Sequence, residues 1–183
     1  MDKIKAAFAG KKANIGYIVA GYPSPAHTKE FLSNLDESAI DLLEIGIPYS
    51  DPLADGPEIF KASFSAVQNG VNAGTVFEIL KGVQTRKPLV FLVYYNVIFA
   101  YGVREFVAQA ARYGISGLII PDLPYEENEE IFALCEEFGI ALIPLISVTS
   151  EHRATRVLSR ARGFIYGVGA IGVTGSKQTP ISR

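Results

Sequence analysis

Apolar residues in this chain gather in short runs, and stretches with helical spacing lie between them. The runs predict strands at 15–20, 42–47, 89–94, 117–120, 141–145 and 163–167. The intervening patterns predict helices at 25–35, 75–84, 103–113, 125–138 and 150–160, with an extra helix near 59–69. The strands are apolar along their length instead of alternating, as expected of parallel strands covered on both faces. The later repeats recur about every 25 residues, close to one β/α unit of an eightfold barrel. No linker, low-complexity segment or charge block divides the chain, so a single α/β domain over 1–183 is expected.

Local signals agree with this pattern. Ser24 followed by Pro25 offers an N-cap and a proline at the first helical position. Glu126, Glu127, Glu129 and Glu130 crowd a helix start, where the macrodipole favours negative charge, and they read as a solvated face. The strand count leaves the architecture open. A closed β/α barrel takes eight strands and only six are visible, whereas an open flavodoxin-like sheet needs fewer.

Composition narrows the class. The chain is 49% hydrophobic and 20% charged with a net charge of -2, which is globular and carries no basic footprint for nucleic acid. No apolar run reaches the roughly 20 residues that span a bilayer, so no membrane segment is expected. The N-terminus lacks a signal-peptide layout, and the single cysteine, Cys135, excludes an internal disulfide. Both point to the cytoplasm. Cys135 shares an amphipathic pattern with Ile131, Leu134 and Phe138, so a buried core thiol is expected.

Two motif readings fail on chemistry. Gly167 to Gly172 matches a dinucleotide fingerprint, but loop-forming residues follow it and the sequence ends before the acid the fingerprint needs about 20 positions on. His27 and His152 fall near helix starts without partners at triad spacing, and His and Cys are too few for a zinc site. No metal is expected.

The stretch "LEIGIPYSDPLADGP" over 43–57 is different. Alternation puts Leu43, Ile45 and Ile47 on one strand face, with Glu44 and Gly46 on the other. In a barrel the second face points inward, and burial would raise the Glu44 carboxyl into a range useful for moving protons. A structural Glu paired with a distant Lys or Arg fits the position as well. Asp51 and Asp55 lie in a loop stiffened by Pro48, Pro52 and Pro57, and serve equally as turn formers or as acids of a preorganised site.

That stretch closely resembles the signature of the tryptophan synthase α subunit. Tyr94-Tyr95-Asn96, Pro121-Asp122-Leu123-Pro124 and Gly172-Val173-Thr174-Gly175 recur in the family's order after the third, fourth and sixth strands. The resemblance covers nearly the whole chain and about the first three quarters of a (β/α)8 barrel subunit. It implies a TIM barrel with about six of its β/α units present here. The implied reaction is retro-aldol cleavage of indole-3-glycerol phosphate to indole and glyceraldehyde 3-phosphate, in tryptophan biosynthesis.

Residue by residue, the resemblance makes Glu44 and Asp55 the catalytic acids. Tyr17, Leu92, Tyr94, Ile119 and Tyr166 correspond to the residues around the indole. Thr174 corresponds to a contact of the second catalytic acid, and Gly175 to a phosphate-holding position. Asp51, Pro52, Asn96 and Pro124 lie where the family meets a β subunit in an αββα assembly. In that assembly pyridoxal phosphate belongs to the β subunit alone, and indole reaches it through a tunnel. Two departures stand out. Gly169-Ala170 replaces a Ser-Arg pair of many relatives, and the family's main phosphate donors follow strands seven and eight, beyond Arg183. The alternatives are a non-catalytic module that binds the β subunit, or another phosphate-handling barrel enzyme.

Overall fold

The computed structural model describes residues 3–52, 55–147 and 153–168. A short helix α1 (Lys3–Ala7) precedes β1 (Ile15–Val19), α2 (Pro25–Ser33) and β2 (Leu42–Gly46). Two helices follow, α3 (Pro57–Gln68) and α4 (Ala73–Leu80), before β3 (Leu89–Leu92). Next come α5 (Tyr95–Tyr101), α6 (Val103–Arg112), β4 (Ile115–Ile119) and α7 (Glu129–Phe138). The described chain continues through β5 (Ala141–Leu142), β6 (Leu145–Ser147), α8 (Ala154–Ser159) and β7 (Tyr166–Val168).

Strand order decides the architecture that the strand count left open. Strands β1 to β5 pair in parallel in the order of the chain, and β6 pairs in parallel with β7. A flavodoxin-like sheet reverses direction at its first strand, giving order 2-1-3-4-5. Unbroken sequential order is that of a β/α barrel wall.

Two apolar clusters lie on opposite sides of this wall. Outside, Leu43, Ile45, Ile47 and Phe91 pack with helix residues including Val76, Phe77, Leu80 and Phe106. Phe77 is the hub, with ring centroids 5.4–5.9 Å from Phe91, Tyr101, Phe106 and Tyr113. Each side chain so buried contributes about 1.5–3 kcal/mol, enough to fix the helices on the sheet. Inside, Leu42, Val90, Ile119 and Ile143 meet Ile4 and Ala7 of α1, which close the lower end of the barrel.

Several boundaries differ from the sequence pattern. The expected strand at 141–145 is two segments, because Pro144 has no N–H for a ladder. The chain nevertheless bridges its neighbours there: the Ile143 N–H donates to the Leu118 carbonyl (2.9 Å), and the Pro144 carbonyl accepts from the Tyr166 N–H (2.9 Å). Helix α5 was not expected, since Tyr95, Val97, Ile98 and Phe99 favour strands in isolation. It ends at Gly102, whose φ of 99° suits glycine alone. The expected helix at 125–138 begins as a 3-10 turn over Tyr125–Glu127 before α7.

The acidic run there is exposed, as expected, and two of its acids are also paired. Arg153 donates to Glu126 (2.9 Å) and Arg160 to Glu129 (2.6 Å), so two of the acids tie the start of α7 to α8. Ser24 caps α2 as expected, accepting from the His27 N–H (3.3 Å), and His27 is exposed. Cys135 is buried among apolar residues, and burial pushes its thiol up to about 12. His152 lies outside the described residues. Among the described residues no helix is long and apolar enough to cross a membrane.

Candidate active site

Parallel register stacks the inward-facing side chains in rows. One row runs Tyr17, Glu44, Val90, Gly117 and Ala141 across five strands. The row above, nearer the carboxyl ends, runs Val19, Gly46, Leu92 and Ile119. Glu44 is the middle residue of β2, one row below the strand end and therefore inside the barrel. Gly46 sits above it, and the Tyr17 ring fills the space that a side chain at 46 would take.

Glu44 is 5% exposed, one of three buried polar or charged side chains among the described residues. Burial alone pushes its carboxyl up to about 7. Among the described residues no Lys or Arg forms an ion pair with it. That settles the question left by position: the carboxyl is not a structural half of a salt bridge within these residues, and its ionisation is opposed by desolvation.

Other acids and phenols converge on it. Asp55 accepts a hydrogen bond from the Tyr94 hydroxyl at 3.3 Å. Burial raises the Asp55 carboxyl, and the Tyr94 bond opposes that rise. The Tyr17 hydroxyl is raised by burial first, then by the charges of Asp55, Tyr94, Glu44 and Tyr166. Tyr166, on β7, is raised by burial and by Glu44. These mutual effects bring Tyr17, Glu44, Asp55, Tyr94 and Tyr166 to one place, with Leu92 and Ile119 of the row above belonging to the inner apolar cluster. The arrangement offers a carboxyl poised to exchange a proton near neutrality, a second acid, and aromatic walls suited to a flat apolar ring.

The loops at this end are held by specific bonds. The Ser63 hydroxyl accepts from the Tyr49 N–H (3.0 Å) and donates to the Tyr49 carbonyl (3.0 Å), tying the loop after β2 to α3. The Tyr95 N–H donates to Asp122 Oδ1 (2.8 Å), joining the loops after β3 and β4. Asn96 Nδ2 donates to the Tyr49 hydroxyl (2.9 Å). Sequence reasoning missed Tyr49, Ser63 and Asp122 because their roles are contacts across 14 to 47 positions, with no local signature. Asp51 and Asn96 are exposed, Pro52 is half-buried and Pro124 is exposed, and these four follow β2, β3 and β4 at the same end. Thr174 and Gly175 lie outside the described residues.

Two hollows lie elsewhere. One of about 400 Å³ separates α7 and α8 from the segment around Pro144, and another of about 630 Å³ lies against α2 near Ile18 and Phe31. Neither is lined by Glu44, Asp55, Tyr17 or Tyr94; convergent chemistry marks the site. Among the described residues no group of three or more His, Cys, Asp or Glu side chains is disposed to hold a metal ion.

Comparison with known proteins gives a consistent result. Residues 4–182 match the family model described as tryptophan synthase alpha chain. The tryptophan synthase alpha chain of Campylobacter jejuni is 46% identical over 171 residues, covering 93% of this chain and 69% of the relative. That of Petrotoga mobilis is 45% identical over 186 residues, covering 100% and 72%. Among solved structures, tryptophan synthase subunit alpha from Campylobacter jejuni superposes with a TM-score of 0.86 at 44% identity, over 95% of this chain and 70% of that one. A Mycobacterium tuberculosis tryptophan synthase structure gives 0.86 at 32% identity, over 96% and 69%. With the sequential parallel wall and the buried Glu44, these matches place the chain in the tryptophan synthase alpha chain family.

Proposed function

We propose that this chain cleaves indole-3-glycerol phosphate to indole and glyceraldehyde 3-phosphate, with Glu44 and Asp55 as its catalytic acids. The bond to be broken joins a ring carbon of the indole to the first carbon of the glycerol chain. A proton delivered to that ring carbon turns the ring into an iminium, which can accept the electron pair of the breaking bond. Loss of the proton on the neighbouring hydroxyl then yields the aldehyde, and the pair restores the aromatic ring. One proton enters and one leaves, so no redox partner is consumed.

Glu44 suits both transfers. A carboxyl raised to about 7 is protonated often enough to act as acid and basic enough to take the hydroxyl proton afterwards. Asp55 accepts the indole N–H and stabilises the positive charge that develops on the ring. Its carboxylate is the one Tyr94 already addresses at 3.3 Å. Tyr17, Leu92, Tyr94, Ile119 and Tyr166 line the ring's cavity, and Thr174 and Gly175 act on Asp55 and the phosphate. Asp51, Pro52, Asn96 and Pro124 face the β subunit, which receives the indole.

The observation that carries this reading is the burial of Glu44 inside the barrel without a cationic partner among the described residues. Glu44→Gln is expected to abolish turnover of indole-3-glycerol phosphate while leaving its binding measurable by calorimetry. Substantial residual turnover in that variant would remove Glu44 from the mechanism.

A further inference from the structure

We infer that Tyr49 is a positioning residue that sets the Tyr94–Asp55 contact, and that Asn96 holds it in place. The inference rests on the proposed role of Asp55 and adds a residue argued to act through Tyr94. The Tyr94–Asp55 bond, at 3.3 Å, is long for a hydroxyl donor, whose bonds cluster near 2.7–2.8 Å. A bond that long leaves room for neighbouring packing to help orient the Tyr94 ring. The Tyr49 ring supplies such packing, with its centroid 5.3 Å from that of Tyr94 and a tilt of 36°.

Tyr49 is suited to the task because it is fixed at both ends. Its backbone N–H and carbonyl are both bonded to the Ser63 hydroxyl at 3.0 Å, and Ser63 is itself only 4% exposed. At the other end, Asn96 Nδ2 donates to the Tyr49 hydroxyl at 2.9 Å. Asn96 sits in the first turn of α5, and the N–H of its neighbour Tyr95 is bonded to Asp122. A ring fixed at backbone and tip in this way moves little, and so restrains the ring packed on it. Phenylalanine at 49 would keep the packing and lose only the tip.

The test is steady-state cleavage of indole-3-glycerol phosphate by the full-length protein without the β subunit, so that lost partner contacts do not enter. Tyr49→Phe is expected to lower kcat about ten-fold with KM within about two-fold, because the interaction it disturbs matters in the transition state and not in substrate capture. Asn96→Ala should give the same loss, and the double variant no more than either single change, since both remove one bond. Asn96 is exposed, so its variant reports on that bond even if Tyr49→Phe folds poorly. Additive losses, or Tyr49→Phe as active as the parent, would overturn the inference. Asp55→Asn, measured alongside, separates the two levels. If it is inactive while Tyr49→Phe is unaffected, only the positioning role fails; if it remains active, the role of Asp55 fails and the positioning role with it.

Discussion

Tyr17 lies across Gly46 so closely that a β-carbon at position 46 would come within 2.8 Å of the phenol Cζ and closer still to its oxygen. The two residues belong to neighbouring strands and adjacent rows of the barrel interior, with Glu44 beside Tyr17 in register. Gly46 is therefore required by its neighbour's shape. Gly46→Ala is expected to displace the Tyr17 ring, at a cost of about 1–3 kcal/mol for overpacking. Urea titration should show the lower midpoint, and the catalytic assay a loss of about ten-fold or more in kcat/KM from misplaced groups. Adding Tyr17→Leu, which removes the clashing ring, should restore stability without restoring activity.

The proposed catalytic acid is a burden on the fold. Free glutamic acid ionises near 4.5, whereas buried Glu44 does so near 7. Between these values the folded state binds more protons than the unfolded state, so stability falls as pH rises through the interval and levels off above about 7. The full penalty is roughly 3 kcal/mol, since one pH unit corresponds to about 1.4 kcal/mol. Glu44→Gln should remove this dependence. Thermal unfolding is expected to show the variant gaining on the parent by several degrees between pH 5 and pH 8, while its activity is lost. An equal pH dependence in both proteins would mean that Glu44 is not the group being titrated.

Rate should follow the same titration. Glu44 must begin protonated, so kcat is expected to fall about ten-fold per pH unit above an apparent pKa near 7. Asp55 must be ionised, and burial lifts its carboxyl above the ordinary aspartate value, so the acid limb should lie above that value too. The outcome is a bell whose alkaline limb lies near pH 7. A profile flat from pH 6 to pH 9 would contradict the role of Glu44 as the initial acid.

Ser63 gives a test of the loop that carries the acids. Its hydroxyl satisfies both backbone groups of Tyr49. Ser63→Ala leaves that N–H and carbonyl without this partner in a partly buried setting, at an expected cost of about 1–3 kcal/mol. The denaturant midpoint should fall with an unchanged slope, because the surface exposed on unfolding stays the same. Activity should fall further than stability alone explains, since Tyr49 loses its backbone anchor.

The sequence by itself determined the apolar runs, the alternation of strand and helix, the Ser24 cap, the buried Cys135 and the face of β2 that carries Glu44. These follow from periodicity and from residues a few positions apart, which one chain displays directly. Tertiary structure alone decided that the strands run in unbroken order, which separates a barrel wall from a doubly wound sheet. It also decided that α5 is helical despite strand-favouring residues, with its Tyr95 N–H bonded to Asp122 in the next loop. Glu126 and Glu129 are exposed, as a solvated face requires, but their pairing with Arg153 and Arg160, some thirty positions away, is a tertiary fact. Glu44 is the sharpest case. Alternation placed it inward, but whether a cation waited there depended on chain segments far away, and among the described residues none does. A carboxyl's charge is set by everything within a few ångströms in space, and that neighbourhood exists only after the strands have paired.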